Sequence, residues 1–411
     1  MYKKLLVCST LFFAGLAQAQ EAIDTTSSSS GQATNNVVGV HLAPGLRGTA
    51  AVGAQAIYNS NFYLTEDNAQ SSFGLVLTPS VLLQREAATL RYEVGAGLEA
   101  TKYTNVDEGP SNYVDGAING RLEWIPLTRH RFSFDYVTRY SHDPFGSIRT
   151  ETGIPLSSGL DKWVQTGVHG RYRYGAPTAL INFETELGWV GRQYKTNRDQ
   201  TQILDYKSWD ARETAYFNVS SKTSLLAEVL HSDVNYTTEA AGFPSRDYQT
   251  TRYRVGMHWI ASGTTTGDFR IGKLRREFDN PAKDSLNAVD WTATIAWAPL
   301  VYSTFSFQTG VQSQASYLAT VQLLQNRFAL IDWTHKYSNY LSSRVVYSHV
   351  NTQFIGSARV DKLDTWAIEG NYLASQRWMG TVGASYSRRD SSVVNLDYGD
   401  TSVYLGVRYA R

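Results

Sequence analysis

The amino-acid sequence predicts an all-β protein, a transmembrane antiparallel up-and-down β-barrel, from three observations. Strand-like alternation of apolar and polar residues runs from about residue 47 to the end. The alternating segments are about ten to sixteen residues long, roughly twice the five or six of a soluble sandwich strand and long enough to cross a bilayer when tilted. Aromatic rings gather at segment ends, as at Tyr58, Tyr103, Trp124, Tyr140, Trp163, Trp209, Trp259, Trp297 and Trp333, where the two interfaces of a bilayer favour them.

Composition agrees. Tyr 26, Phe 16 and Trp 10 make the chain 13% aromatic, with 32 Gly and only 3 Met. Lys+Arg 38 against Asp+Glu 37 leaves a net charge of +1 with no basic block, which argues against nucleic acid as a partner. The mean hydropathy of −0.32 excludes a polytopic helical transporter.

At the N-terminus Lys3 and Lys4 precede the apolar stretch Leu5 to Leu16 and the small-x-small site Ala17-Gln18-Ala19, so residues 1–19 read as an export signal. The one cysteine, Cys8, lies inside it, and the remaining chain offers no disulfide, thiolate metal site or cysteine nucleophile. Residues 20–45 read as a flexible periplasmic leader, polar and without periodicity through Asn36. The barrel is expected over 46–411.

Within it, Leu90, Tyr92, Val94, Ala96, Leu98 and Ala100 share one face, and Arg91, Glu93, Gly95, Gly97 and Glu99 share the other. The same division recurs to the last strand, where Val403, Leu405, Val407 and Tyr409 oppose Tyr404, Gly406 and Arg408. The pattern predicts about eighteen strands, with sixteen the alternative, starting near 47, 72, 88, 112, 130, 162, 178, 205, 223, 248, 267, 288, 302, 320, 342, 362, 378 and 400. Tight connections such as Pro126-Leu127-Thr128 and Ser262-Gly263-Thr264 alternate with longer polar ones such as 59–71, 142–161 and 237–247. Short periplasmic turns and longer extracellular loops show this phase, which places the chain in a bacterial outer membrane. Two segments are ambiguous: 223–236 is apolar on both faces, and 266–280 carries Lys273, Arg275 and Arg276 on both, for which a β-bulge is the simple expectation.

An outward apolar face leaves the other face for the lumen. The pore-lining candidates are Arg91, Glu93, Glu99, Asp115, Arg121, Glu123, Asp135, Arg139, Arg171, Arg173, Glu184, Glu186, Arg212, Arg252 and Arg254. Each could serve only in cross-strand ion pairs that fill a wet interior. Their planar polar groups could equally bind and release sugar hydroxyls, and the mixed signs predict no strong ion selectivity. The third extracellular loop, Ser141 to Asp161, is the longest. By analogy with porins it would fold inwards and bring Asp143, Arg149 and Glu151 to a constriction.

Catalysis is not expected. The histidines are scattered, neighbours such as Ser141-His142 fall on opposite strand faces, and no His-x-x-x-His metal motif or calcium repeat is present. No cofactor or metal is implied.

Several short tracts carry a family resemblance: Tyr58-Asn59-Ser60-Asn61-Phe62-Tyr63, Ser72 to Ser80, Asn112 to Gly116, and Arg131 to Tyr140 followed by Ser141-His142-Asp143. In these and in its barrel layout the chain resembles the outer-membrane β-barrel porins that accompany exopolysaccharide and capsule biosynthesis. The resemblance implies a channel taking part in export of an exopolysaccharide across the outer membrane. Its implied partners are a polysaccharide, periplasmic polysaccharide export proteins, the barrel assembly machinery, and outer-membrane lipid with lipopolysaccharide. A general diffusion porin for small solutes is the alternative, and a surface adhesin or receptor barrel a third reading.

Overall fold

The computed structural model describes residues 39–104, 112–145, 159–176, 179–238, 245–314, 321 and 323–411. The predicted signal at 1–19 and the leader as far as residue 38 lie outside them, as do Arg149 and Glu151 of the predicted constriction.

A short strand β1 (Val40–Ala43) is followed by β2 (Leu46–Asn59), β3 (Ser72–Glu86), β4 (Leu90–Thr104), β5 (Tyr113–Leu127), β6 (His130–His142) and β7 (Lys162–Tyr174). Then come β8 (Ile181–Tyr194), β9 (Tyr206–Ser220), β10 (Thr223–Tyr236), β11 (Tyr248–Ser262), β12 (Thr265–Phe278) and β13 (Leu286–Leu300). The chain ends with β14 (Ser303–Gln314), β15 (Leu323–Lys336), β16 (Leu341–Ile355), β17 (Val360–Leu373), β18 (Trp378–Ser391) and β19 (Tyr398–Ala410). One helical turn at Arg198–Thr201 interrupts the β8–β9 loop.

From β2 onwards every strand pairs antiparallel with its sequence neighbour, and β19 closes on β2 from Ser402↔Asn59 to Ala410↔Ala51. The result is a closed barrel of eighteen strands, with starts within a few residues of those expected. Closure matters physically, because no strand edge is left with unpaired amides in the hydrocarbon.

Alternation decides which side each residue takes. Val94, Leu98, Val114, Ile118, Leu187, Val255, Ile368, Val382 and Leu405 are exposed on the outside. With no water in the bilayer core to solvate them, these side chains form the lipid-facing belt. At the periplasmic end of the wall Trp124, Phe132 and Tyr172 stack at 5.3 and 4.8 Å between centroids.

Two local features differ from expectation. The last residues of the expected flexible leader form β1, which folds back on β2 through Val40↔Gly48 and His41↔Arg47. Gly45 makes this reversal possible, at a φ of 72° that a residue with a Cβ adopts only with strain. β12 contains no bulge where one was expected; its register with β11 runs unbroken from Thr266 to Phe278. Arg275 and Arg276 have partners instead. Arg275 points outwards and pairs with Glu277 at 2.5 Å, while the inward Arg276 bonds Thr250 at 3.0 Å and lies over the Tyr248 ring at 4.3 Å.

Candidate functional site: the barrel lumen

The inner face of the wall carries ion pairs along one side and a buried apolar patch on the other. Across β4–β6, Arg91 and Arg131 reach Glu123 at 3.8 and 3.3 Å, and Arg121 binds Asp135 at 2.6 Å. From β7 the pairing becomes one continuous network. Arg171 binds Glu186 at 2.5 Å, and Glu186 also accepts from Arg212 at 3.0 Å. Glu228 on β10 takes Arg254 from β11 and Arg270 from β12, the latter at 2.5 Å, with Arg212 at 4.0 Å. Arg254 continues to Asp290 at 3.2 Å, which Arg252 also meets at 3.3 Å.

The network skips from β11 to β13 because Gly272 stands between them. A Cβ there would lie within 2.7 Å of the Arg254 Cα. Glu228 is the hub: its side chain is wholly buried under three guanidinium groups.

All fifteen candidates proposed from the sequence lie on this inner face, opposite the exposed apolar residues. The structure brings Arg171, Glu186, Arg212, Arg252 and Arg254 into the network. Glu93 accepts from Gln84 at 2.8 Å, Glu99 from Tyr113 at 3.3 Å and Glu184 from Tyr216 at 3.3 Å, and the Arg173 guanidinium covers the Tyr216 ring at 4.9 Å. Asp115 takes both Ser141 Oγ at 2.9 Å and His142 Nδ1 at 3.1 Å. Strand alternation predicts opposite faces for Ser141 and His142. Both reach the same carboxylate because His142 is the last residue of β6, and the serine donates to Asp115.

Sequence reading missed Glu228, Arg270 and Asp268, which binds Arg270 at 2.9 Å. Glu228 sits in the segment that is apolar on both faces, between Leu226 and Leu230, which are 4% and 5% exposed and turn inwards. Only its register with Arg254 identifies its side of the wall.

Across the lumen from this network an apolar and aromatic patch stands among polar inward residues such as Ser348, Asp361, Thr365 and Arg389. Ile57, Val76, Val346, Ala367 and Tyr404 form a buried cluster flanked by Tyr103 and Leu330. Phe328 and Val350, with Leu330 and Leu363, continue it. Arg344–Asp332 and Glu369 border it towards the periplasm.

At the extracellular mouth, rings from two loops meet. Phe62 lies 5.1 Å from Phe145 and 4.6 Å from Tyr103, and Tyr63 lies 5.2 Å from Phe145. Asp143 accepts from Trp163 Nε1 and the Tyr194 hydroxyl, both at 3.0 Å. Of the three constriction candidates Asp143 alone is described, and it fixes the root of the third loop to β7 and β8.

Comparison with known proteins agrees with the architecture. Residues 47–411 match the family described as "Putative beta-barrel porin 2". No curated protein sequence matches the chain. Among solved structures, Pseudomonas aeruginosa OccK2 (OpdF) aligns at 9% identity and TM-score 0.47, covering 89% of this chain and 97% of its own. The FrpB iron transporter from Neisseria meningitidis aligns at 9% identity and TM-score 0.48, covering 92% and 82%. Acinetobacter baumannii OccAB3 aligns at 10% identity and TM-score 0.44, covering 89% and 99%. At such identities these are likenesses of layout, and no cargo follows from them.

Proposed function

The chain belongs to the β-barrel porin family whose profile spans its barrel, and on that premise we propose that this outer-membrane channel takes part in export of an exopolysaccharide. The supporting observation is an inner face that carries both a charged network and an apolar patch. Sugars present hydroxyl groups at their edges and C–H surfaces on their faces. The accessible Arg91, Arg121 and Arg171 on one side, and the partly buried Tyr103 and Leu330 at the edge of the apolar patch on the other, offer both kinds of contact. In this reading the fifteen inward candidates line the path, and Asp143, Arg149 and Glu151 belong to the loop that narrows it. The chain's resemblance to barrels accompanying capsule biosynthesis points to the same cargo class. Periplasmic export proteins would deliver the polymer.

A general porin for small solutes is the second reading, favoured by the balanced signs of the charged side. The experiment that separates them deletes the gene and restores it from a plasmid while secreted and periplasmic carbohydrate are measured. Loss of secreted polymer with periplasmic accumulation supports export. Unchanged polymer with slower small-solute uptake supports the porin.

A further inference from the structure

The outer surface of the wall carries a feature that the lumen does not explain. Between the external ends of β4, β5, β6 and β7 lies a shallow, open depression lined by Ala100, Lys102, Val114, Tyr140 and Lys162, with Thr101, Asn112 and Tyr113 beside them. Lys102, Ala100, Val114 and Tyr140 belong to the lipid-facing set by strand alternation, and Val114 and Tyr140 are 48% and 37% exposed. Among the described residues neither lysine has a carboxylate within ion-pairing distance, whereas most inward arginines are paired.

Depth follows from strand geometry. Trp124, in the aromatic stack at the periplasmic end, pairs with Leu90, and Lys102 lies further up the same strand, β4. A strand rising about 3.4 Å per residue and tilted about 40° climbs about 2.6 Å per residue, which sets Lys102 about 31 Å above that stack. The apolar band of an outer-membrane barrel is about 25 Å tall, so the ammonium group reaches the plane of the outer headgroups. Below it Ala100, Val114 and Tyr140 descend into the hydrocarbon.

We propose that this depression binds a phosphorylated glycolipid of the outer leaflet, with its phosphates on Lys102 and Lys162 and an acyl chain along Ala100, Val114 and Tyr140. Charge complementarity selects the occupant. A neutral lipid would leave two ammonium groups unpaired at the interface, and a soluble anion would leave the apolar floor uncovered.

The test uses the full barrel purified in a neutral detergent and native mass spectrometry with bisphosphorylated lipid A, the same lipid after phosphatase treatment, and inorganic phosphate. The dephosphorylated lipid should bind about tenfold more weakly, and the K102A/K162A double variant should lose a similar factor for the phosphorylated form. The Lys102→Arg, Lys162→Arg pair should restore binding, and Lys362→Ala, on a distant outward face, should leave it unchanged. Because the lysines are at the rim, the variants should keep wild-type migration on unheated electrophoresis. If the alanine pair fails to fold, the wild-type preference for the phosphorylated lipid still decides. Equal binding of both lipids overturns the proposal, as does an unaffected double variant. Displacement of the lipid by millimolar inorganic phosphate alone would mark a soluble-anion site and also overturn it.

Discussion

The Tyr404 hydroxyl donates to Glu369 at 2.7 Å across an intervening strand, with the ring lying over Gly383 of β18. A Cβ at Gly383 would stand 2.3 Å from the ring, so the glycine clears the path. Gly383→Ala should push Tyr404 aside, break this bond and cost about 1–3 kcal/mol. Urea titration followed by unheated electrophoresis would read the loss. An unshifted midpoint would show that the ring finds another resting place at no cost.

Glu228 holds the inner network together, so its removal leaves three arginines facing one another away from water. Glu228→Ala should destabilise the barrel by about 3–5 kcal/mol, the range for breaking a buried ion pair on one side only. Replacing Arg171, which is 46% exposed, should cost under about 1 kcal/mol. Equal losses at the two positions would mean that the network is a set of independent pairs.

The assignment of faces is tested on β4. Leu98 is 54% exposed to lipid near the middle of its strand, and Leu98→Arg should cost about 2–4 kcal/mol and reduce the folded fraction in vesicles. At the adjacent inward Gly97, an added Cβ meets nothing closer than Ser80 Cβ at 3.6 Å, so Gly97→Ser should fold normally. The reverse pattern would mean that β4 is shifted by one residue.

The charged side of the lumen should set ion preference. Arg91, Arg121 and Arg171 have side chains 57%, 51% and 46% exposed on the inner face. Changing all three to Glu should move the cation-to-anion permeability ratio in planar bilayers at least about threefold towards cations. No change in reversal potential would place the conducting path away from these residues.

The strands were legible because a barrel wall has only two environments, and a period of two records them directly. That is why β4, β5 and β19 can be read residue by residue. The signal fails where both environments accept the same side chain. On β10 the inward Leu226 and Leu230 mimic the lipid face and conceal Glu228. On β12 outward Lys273 and Arg275 mimic the lumen, although they lie near the headgroups where cations are tolerated. The placement of the apolar patch across the lumen from the charged network was not legible either. It depends on which strands stand opposite each other once the ring is closed, and no local window of sequence contains that.

The joint between β19 and β2 has a kinetic consequence. Each of the other barrel pairings joins strands adjacent in sequence and can zip up from its own turn, whereas Asn59 and Ser402 meet across 343 positions of chain. Arg411 exchanges two backbone hydrogen bonds with Ala50 at 2.8 Å, so the joint extends to that residue. Seventeen hairpin pairings can therefore form early and reversibly while the eighteenth waits for all of them. The free edge of β2 stays sticky throughout that wait. An added peptide with the sequence of β19 should compete for that edge and arrest the chain as an open sheet, in a way that no peptide copied from a middle strand could match.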